Sequence, residues 1–265
     1  MPTAQINGQQ IFYVDHGSPR DGSPTMIFSH GFLMDHEMFD AQVAAFSDRC
    51  RIVTWDERGF GSTVHDGQPF SYWDSAADLL GLMDHLEIDH AILAGMSQGG
   101  FLSMRAALLA PERASGLILI DTQAGVDDAE TLAAYQGMVD IWMTAGPVPD
   151  LANAIAQIII ADPTHHDAWI AKWQTLSWEA LAAAAGALLE RDDITDRLAE
   201  ITCPAIVIHG TADTAIPMER AEELAAALSG AGPVARIDGA AHAANLTHPE
   251  PVNSAISVFL SPDSF

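Results

Sequence analysis

The sequence predicts an α/β protein with a mostly parallel central sheet flanked by helices, and three observations carry the prediction. Short apolar strands alternate with helix-period segments from residue 26 onward. A serine set between glycines, Gly95-Met96-Ser97-Gln98-Gly99, joins one such strand to the helix that follows. An alanine-rich interval without strand pattern, residues 122–197, then interrupts the alternation.

Each element can be read in turn. Thr3–Ile6 and Gln9–Val14 are two opening strands, and Met26–Ser29 is a short buried one. Glu37–Phe46 has helical spacing, and Arg51–Trp55, with Ile52, Val53 and Thr54 β-branched, is the next strand. Across Ser71–Leu86, the residues Ala76, Leu79, Leu80, Met83 and Leu86 share one helical face. His90–Gly95 is a strand, Gln98–Leu109 a helix and Gly116–Ile120 a strand. After the interval come strand Ala205–Ile208, helix Met218–Leu228, strand Val234–Ile237 and helix Glu250–Leu260. The chain therefore divides into a core domain, residues 1–121 and 198–265, and a helical cap, residues 122–197, over the strand ends. The cap's aromatics divide between its own packing and the wall of a pocket. Phe32, Met138, Trp142 and Trp173 are the expected pocket residues.

Composition narrows the partners. With 36 acidic residues against 11 Lys and Arg, the net charge of −25 repels phosphate backbones and anionic lipid surfaces, so neither nucleic acid nor membrane is expected as a partner. Cys50 and Cys203 alone do not make a disulfide framework. The start, Met1-Pro2-Thr3-Ala4-Gln5, has no basic region followed by an apolar run, and no segment approaches the length of a membrane span. A cytoplasmic location is expected. No ligand cluster for a metal or organic cofactor is visible, so none is expected. His165 and His166 would point apart on a helix, and Asp192, Asp193 and Asp196 read as solvated charges at the cap's exit.

The chemistry centres on Ser97. A hydroxyl on a sharp strand-to-helix turn forces an unfavourable backbone, and the positions two residues either side must be small, as Gly95 and Gly99 are. A serine is a weak nucleophile, so it needs a base, and the base needs an orienting group. His242, in Gly239-Ala240-Ala241-His242, follows a strand and is the expected base. Its rival His248 falls in the first turn of the last helix, where Thr247 and Glu250 have the spacing of a capping box. His209 ends a core strand and is expected to make a structural hydrogen bond. For the acid, Asp213 in the loop after Ala205–Ile208 is favoured over Asp121, which ends the strand Gly116–Ile120. The oxyanion donors are expected to be the backbone N–H groups of Gln98 and of Phe32, in His30-Gly31-Phe32.

Ser29-His30-Gly31-Phe32, Asp56-Glu57-Arg58-Gly59-Phe60-Gly61-Ser62, the Ser97 elbow, His209-Gly210-Thr211-Ala212-Asp213 and Gly239-Ala240-Ala241-His242 run in the order of the α/β-hydrolase superfamily. The chain resembles that superfamily over almost its whole length. The stretch Ala241-His242-Ala243-Ala244-Asn245 is similar to 3-oxoadipate enol-lactonases and related carboxylesterases. The resemblance implies an α/β-hydrolase fold with a cap, and a Ser97–His242–Asp213 triad. The implied reaction is cofactor-free hydrolysis of a small, hydrophobic ester or lactone through an acyl-enzyme. It also implies that Asp56–Ser62 shapes a loop beside the site. Ser97 speaks against haloalkane dehalogenases and epoxide hydrolases, which need a carboxylate there. Ala243 speaks against carbon–carbon bond hydrolases, which tend to carry Trp after the catalytic His. A cofactor-free perhydrolase and a non-catalytic receptor of the same fold are the alternatives.

Overall fold

In the computed structural model, residues 2–17, 20 and 22–261 are described. Alternating side chains organise them. Along three neighbouring strands, Ile27, Leu93 and Leu117 point to one face of the sheet, while Met26, Phe28, Ile92, Ala94 and Ile118 point to the other. Both faces are buried, so these strands read as unbroken apolar runs.

The strands are β1 (Thr3–Ile6), β2 (Gln9–Asp15), β3 (Thr25–Ser29), β4 (Arg51–Trp55), β5 (Ala91–Met96), β6 (Ala114–Ile120), β7 (Ala205–Gly210) and β8 (Ala235–Ile237). They form one sheet in the order β1-β2-β4-β3-β5-β6-β7-β8. The pairs β1–β2 and β2–β4 are antiparallel; all others are parallel. From β3 the chain moves out to β4, then crosses back to β5 on β3's other side. That reversal opens a crevice beyond the carboxyl ends of β3 and β5, the usual place for a ligand in such a sheet.

Helices α1 (Asp40–Phe46), α2 (Tyr72–His85) and α3 (Gln98–Leu109) belong to the first half of the sheet, and α8 (Met218–Ala227), α9 (Ala244–Thr247) and α10 (Pro249–Phe259) to the second. Between β6 and β7 stand α4 (Ala129–Ala145), α5 (Pro149–Ile159), α6 (Pro163–Trp173) and α7 (Trp178–Leu189), with no strand among them. No helix of the described residues is long and apolar enough to cross a membrane. Ser71 caps α2 in a reciprocal box with Asp74.

Three local expectations are corrected. The helical spacing over Glu37–Phe46 splits into a 3-10 turn, His36–Phe39, followed by α1, because the Asp35 carboxylate accepts the Glu37 N–H and starts the turn early. The Thr247–Glu250 capping box does not form. Thr247 closes α9 with its hydroxyl on the Ala243 carbonyl, and α10 starts instead on Pro249, whose fixed φ suits a first helical position. Asp192 is not a free solvated charge. It accepts hydrogen bonds from Arg105 (2.8 Å) and Trp73 (3.1 Å), tying the segment after α7 to α2 and α3.

The elbow between β5 and α3 places Ser97 at φ 51°, ψ −114°, a left-handed backbone costly for a residue with a Cβ. A side chain at Gly95 would overlap the backbone of Gly99, and one at Gly99 would overlap the Ser29 carbonyl on β3. Gly99→Ala should therefore destabilise the protein by about 3 kcal/mol or more. Gly137→Ala on α4, with nothing within 4 Å of the new methyl, should instead stabilise by up to about 1 kcal/mol. Urea unfolding midpoints of the two variants check both signs.

Candidate active site

The carboxyl ends of five strands, β3, β5, β6, β7 and β8, meet at the site around Ser97. Ser29 and Gly95 are paired across β3 and β5, so the loop carrying Phe32 lies beside the elbow. The Ser97 N–H donates to the Ile120 carbonyl of β6 (2.9 Å), and Thr122 Oγ1 donates to the Ser97 carbonyl (2.7 Å). The elbow is thus held from both sides.

His242 stands in the loop after β8. Its Nε2 is 3.0 Å from Ser97 Oγ and its Nδ1 is 2.8 Å from Asp213 Oδ2. A carboxylate only accepts, so Nδ1 carries the proton and Nε2 presents its lone pair to the hydroxyl. Asp213 Oδ1 accepts the N–H groups of Ala215 (2.8 Å) and Ile216 (3.0 Å), which fixes the carboxylate. Burial alone would depress the His242 pKa. The charge and hydrogen bond of Asp213, with Asp121 and Asp127 beyond it, outweigh burial and raise it above 6.5. Burial would conversely raise Asp213, yet the charge and hydrogen bond of His242, with the Ile216 N–H and His209, hold it below 3.8.

The two acids weighed from the sequence have separate surroundings. Asp121 does not bond to His242. Its oxygens accept the N–H groups of Gly210 (2.8 Å) and Ala244 (2.9 Å), so it braces the end of β7 against the segment after His242. Burial, then the nearby Asp213 carboxylate, push Asp121 up to about 8. His209 Nε2 is 2.9 Å from the Ile216 carbonyl and must donate, leaving Nδ1 as a bare acceptor 3.8 Å from Asp121. Asp121, His209 and Asp213 each offer a ligand atom within 4.8 Å of the others, a grouping the sequence reading missed. Their fit to a metal is poor. The Asp121 oxygens and Asp213 Oδ1 accept backbone N–H groups, and Asp213 Oδ2 holds His242.

Gln98 opens α3, where first-turn N–H groups lack intrahelical partners. Among the described residues, neither its N–H nor that of Phe32 meets a protein acceptor. Tyr72 donates to the Gln98 side chain (3.2 Å).

Above Ser97 opens an apolar cavity, part of it continuous with solvent. Phe32, Met138 and Trp142 line it, together with Tyr135, Ile155, Ile159, Leu181 and Leu188 from the inserted helices. Trp173 does not. It is buried, with its Nε1–H on the Leu33 carbonyl, and anchors α6 to the loop after β3. The expectation of Trp173 as a pocket residue is corrected on that ground. Sequence reasoning also missed Gln123 and Asp127, which follow β6 and reach the cavity wall. In the sequence, Asp127 beside Asp128 carries no sign of its partner Arg191, which lies on the far side of the insertion.

A family model described as alpha/beta hydrolase fold matches residues 24–249. The chain belongs to the alpha/beta hydrolase fold family. It is 26% identical to 3-oxoadipate enol-lactonase 2 of Acinetobacter baylyi, covering 89% of this chain and 88% of that protein. It is 29% identical to a non-heme chloroperoxidase of Streptomyces lividans, covering 96% and 97%. Among solved structures it is similar to a thermophilic esterase from Thermogutta terrifontis, with a TM-score of 0.86, 29% identity and coverage of 97% and 96%.

The paired shifts predict a pH dependence with a definite sign. The stabilisation from His242 is complete below pH 6.5 and fades as pH rises through its raised pKa. That from Asp213 is present above pH 3.8 and fades as pH falls through its lowered pKa. The stability gap between wild type and Asp213→Asn should accordingly be widest between those limits. NMR titration should place the His242 midpoint above 6.5 in the wild type and lower it in Asp213→Asn.

Proposed function

We propose that this hydrolase cleaves a carboxylic ester or lactone through an acyl-enzyme on Ser97, with residues 122–197 acting as its cap. The observation that carries the reading is a single imidazole bonded to both Ser97 Oγ and the Asp213 carboxylate, at the floor of an apolar cavity. His242 Nε2 takes the hydroxyl proton as Oγ attacks the carbonyl carbon. Asp213 stabilises the imidazolium that forms and keeps its ring in register. Negative charge on the tetrahedral oxygen is received by the N–H groups of Phe32 and Gln98. The imidazolium then protonates the departing alkoxide. Water, deprotonated by the same nitrogen, attacks the acyl carbon, and the acid leaves. A lactone follows the same steps with its alcohol still tethered.

Support comes from the geometry above and from relatives named for lactone and ester chemistry. A second reading, perhydrolysis, takes its support from the relative named as a non-heme chloroperoxidase. There, hydrogen peroxide replaces water in the second step and the product is a peracid.

Ser97→Ala should lower kcat toward p-nitrophenyl esters on the order of 10⁴-fold or more, while the Tm stays near that of the wild type. Full residual activity in that variant would remove Ser97 from the mechanism. Assaying esters and lactones with and without peroxide separates hydrolysis from perhydrolysis. Because His242 must be neutral to act, the acid limb of kcat/KM should have its midpoint above pH 6.5. A profile flat down to pH 4 would contradict His242 as the base.

A further inference from the structure

We infer that the pocket selects substrates whose enclosed group is uncharged, and that the Asp127–Arg191 pair, its carboxylate in the wall and its guanidinium behind it, enforces this by cancelling its own charges. The inference rests on the hydrolytic reading and specifies the substrate class of the same site.

Among the described residues, no Lys or Arg lines the cavity. The guanidinium of Arg191 lies directly behind it, stacked 4.7 Å from the centroid of the Phe101 ring and donating to the Leu188 carbonyl (2.9 Å). Both Phe101 and Leu188 face the cavity. The Arg191 side chain is 2% exposed, and its charge is met by Asp127 Oδ2 at 2.7 Å. The other Asp127 oxygen, Oδ1, accepts from Gln123 Nε2 at 2.8 Å. A pair so engaged presents no net charge to a ligand.

The remaining polarity of the wall is dipolar. Trp142 Nε1–H and Gln123 Oε1 are buried and without protein partners, and both residues line the cavity. A donor and an acceptor of this kind can serve an ether, carbonyl or hydroxyl group. Neither can balance a charge.

A substrate carboxylate carried into this space would lose its hydration and meet no lysine or arginine, while the Asp127 carboxylate stands in the wall. A substrate ammonium would find that carboxylate already occupied by Arg191 and Gln123. Neutral apolar groups lose little on entry and remove apolar wall from water. This distinguishes the protein from an enzyme that must hold an acid-bearing substrate, as the word oxoadipate in the name of one relative denotes. The net charge of −25 also repels anions at long range, but that effect is screened by salt, whereas charge burial in the pocket is not.

The test compares four p-nitrophenyl esters of one chain length: hexanoate, methyl adipate, the adipate monoanion and 6-aminohexanoate. In about 1 M NaCl, where the screening length is about 3 Å, both neutral esters should exceed both charged ones in kcat/KM by about 100-fold or more, as burial of an unpaired charge demands. Asp127→Asn, which leaves Arg191 uncompensated, should narrow the gap for the adipate monoanion about 10-fold or more. Arg191→Met should do the same for 6-aminohexanoate. Charged esters turned over within a few-fold of the neutral ones, or a preference that vanishes in high salt, would overturn the inference. So would an unchanged gap in folded Asp127→Asn. If no ester is turned over, the hydrolytic reading fails on its own. The same four compounds titrated onto Ser97→Ala then decide the inference, with tighter binding of the neutral pair supporting it and equal binding overturning it.

Discussion

The close contact of α3 with the sheet at the elbow is the constraint on which the rest of the site depends. Ser97 holds a left-handed backbone that no serine adopts without cost. It is retained because Gly95 and Gly99 leave no side chain between the helix start and β3, and because Ile120 and Thr122 hold the turn from β6. The same contact sets the hydroxyl at the strand end beneath the cavity and leaves the Gln98 N–H unused at the first turn of α3. One strained residue thus sets its own hydroxyl, and the free N–H of its neighbour Gln98, at the end of β5.

Around that point the protein keeps charge on a short leash. Asp213 is held ionised by its imidazole and two N–H groups, whereas Asp121, one strand away, is pushed the other way by burial. Two buried carboxylates would otherwise compete for His242, and giving Asp121 the backbone of Gly210 and Ala244 separates them. Asp121 then serves as a brace joining the end of β7 to the segment that follows His242. The wall above shows the same economy, since the guanidinium of Arg191, stacked on Phe101, is answered by Asp127.

Much of this was legible in the sequence because it is local. Strand pattern, the glycine spacing around Ser97, and the positions of His242 and Asp213 after apolar strands all lie within a few residues of their cause. What was not legible depends on pairs far apart in the chain. Trp173 looked like a pocket aromatic until its indole was found on the Leu33 carbonyl, 140 residues away in sequence. Asp192 looked solvated because its partner Arg105 sits on α3, and Asp127 gave no sign of Arg191. The Thr247–Glu250 box failed for a local reason, because Pro249 offered a helix start one residue later than the box would set it. The grouping of Asp121, His209 and Asp213 needed the order of β6 and β7 in the sheet, which no residue spacing states.

The proposed hydrolysis passes through a covalent acyl intermediate on Ser97. Rapid mixing with a p-nitrophenyl ester, followed by acid quench and peptide mass analysis, tests it most directly. With an ester whose deacylation limits turnover, a burst of p-nitrophenol equal to the enzyme present and an acyl mass on the peptide containing Ser97 are expected. A burst with no adduct, or an adduct on a different residue, would contradict it.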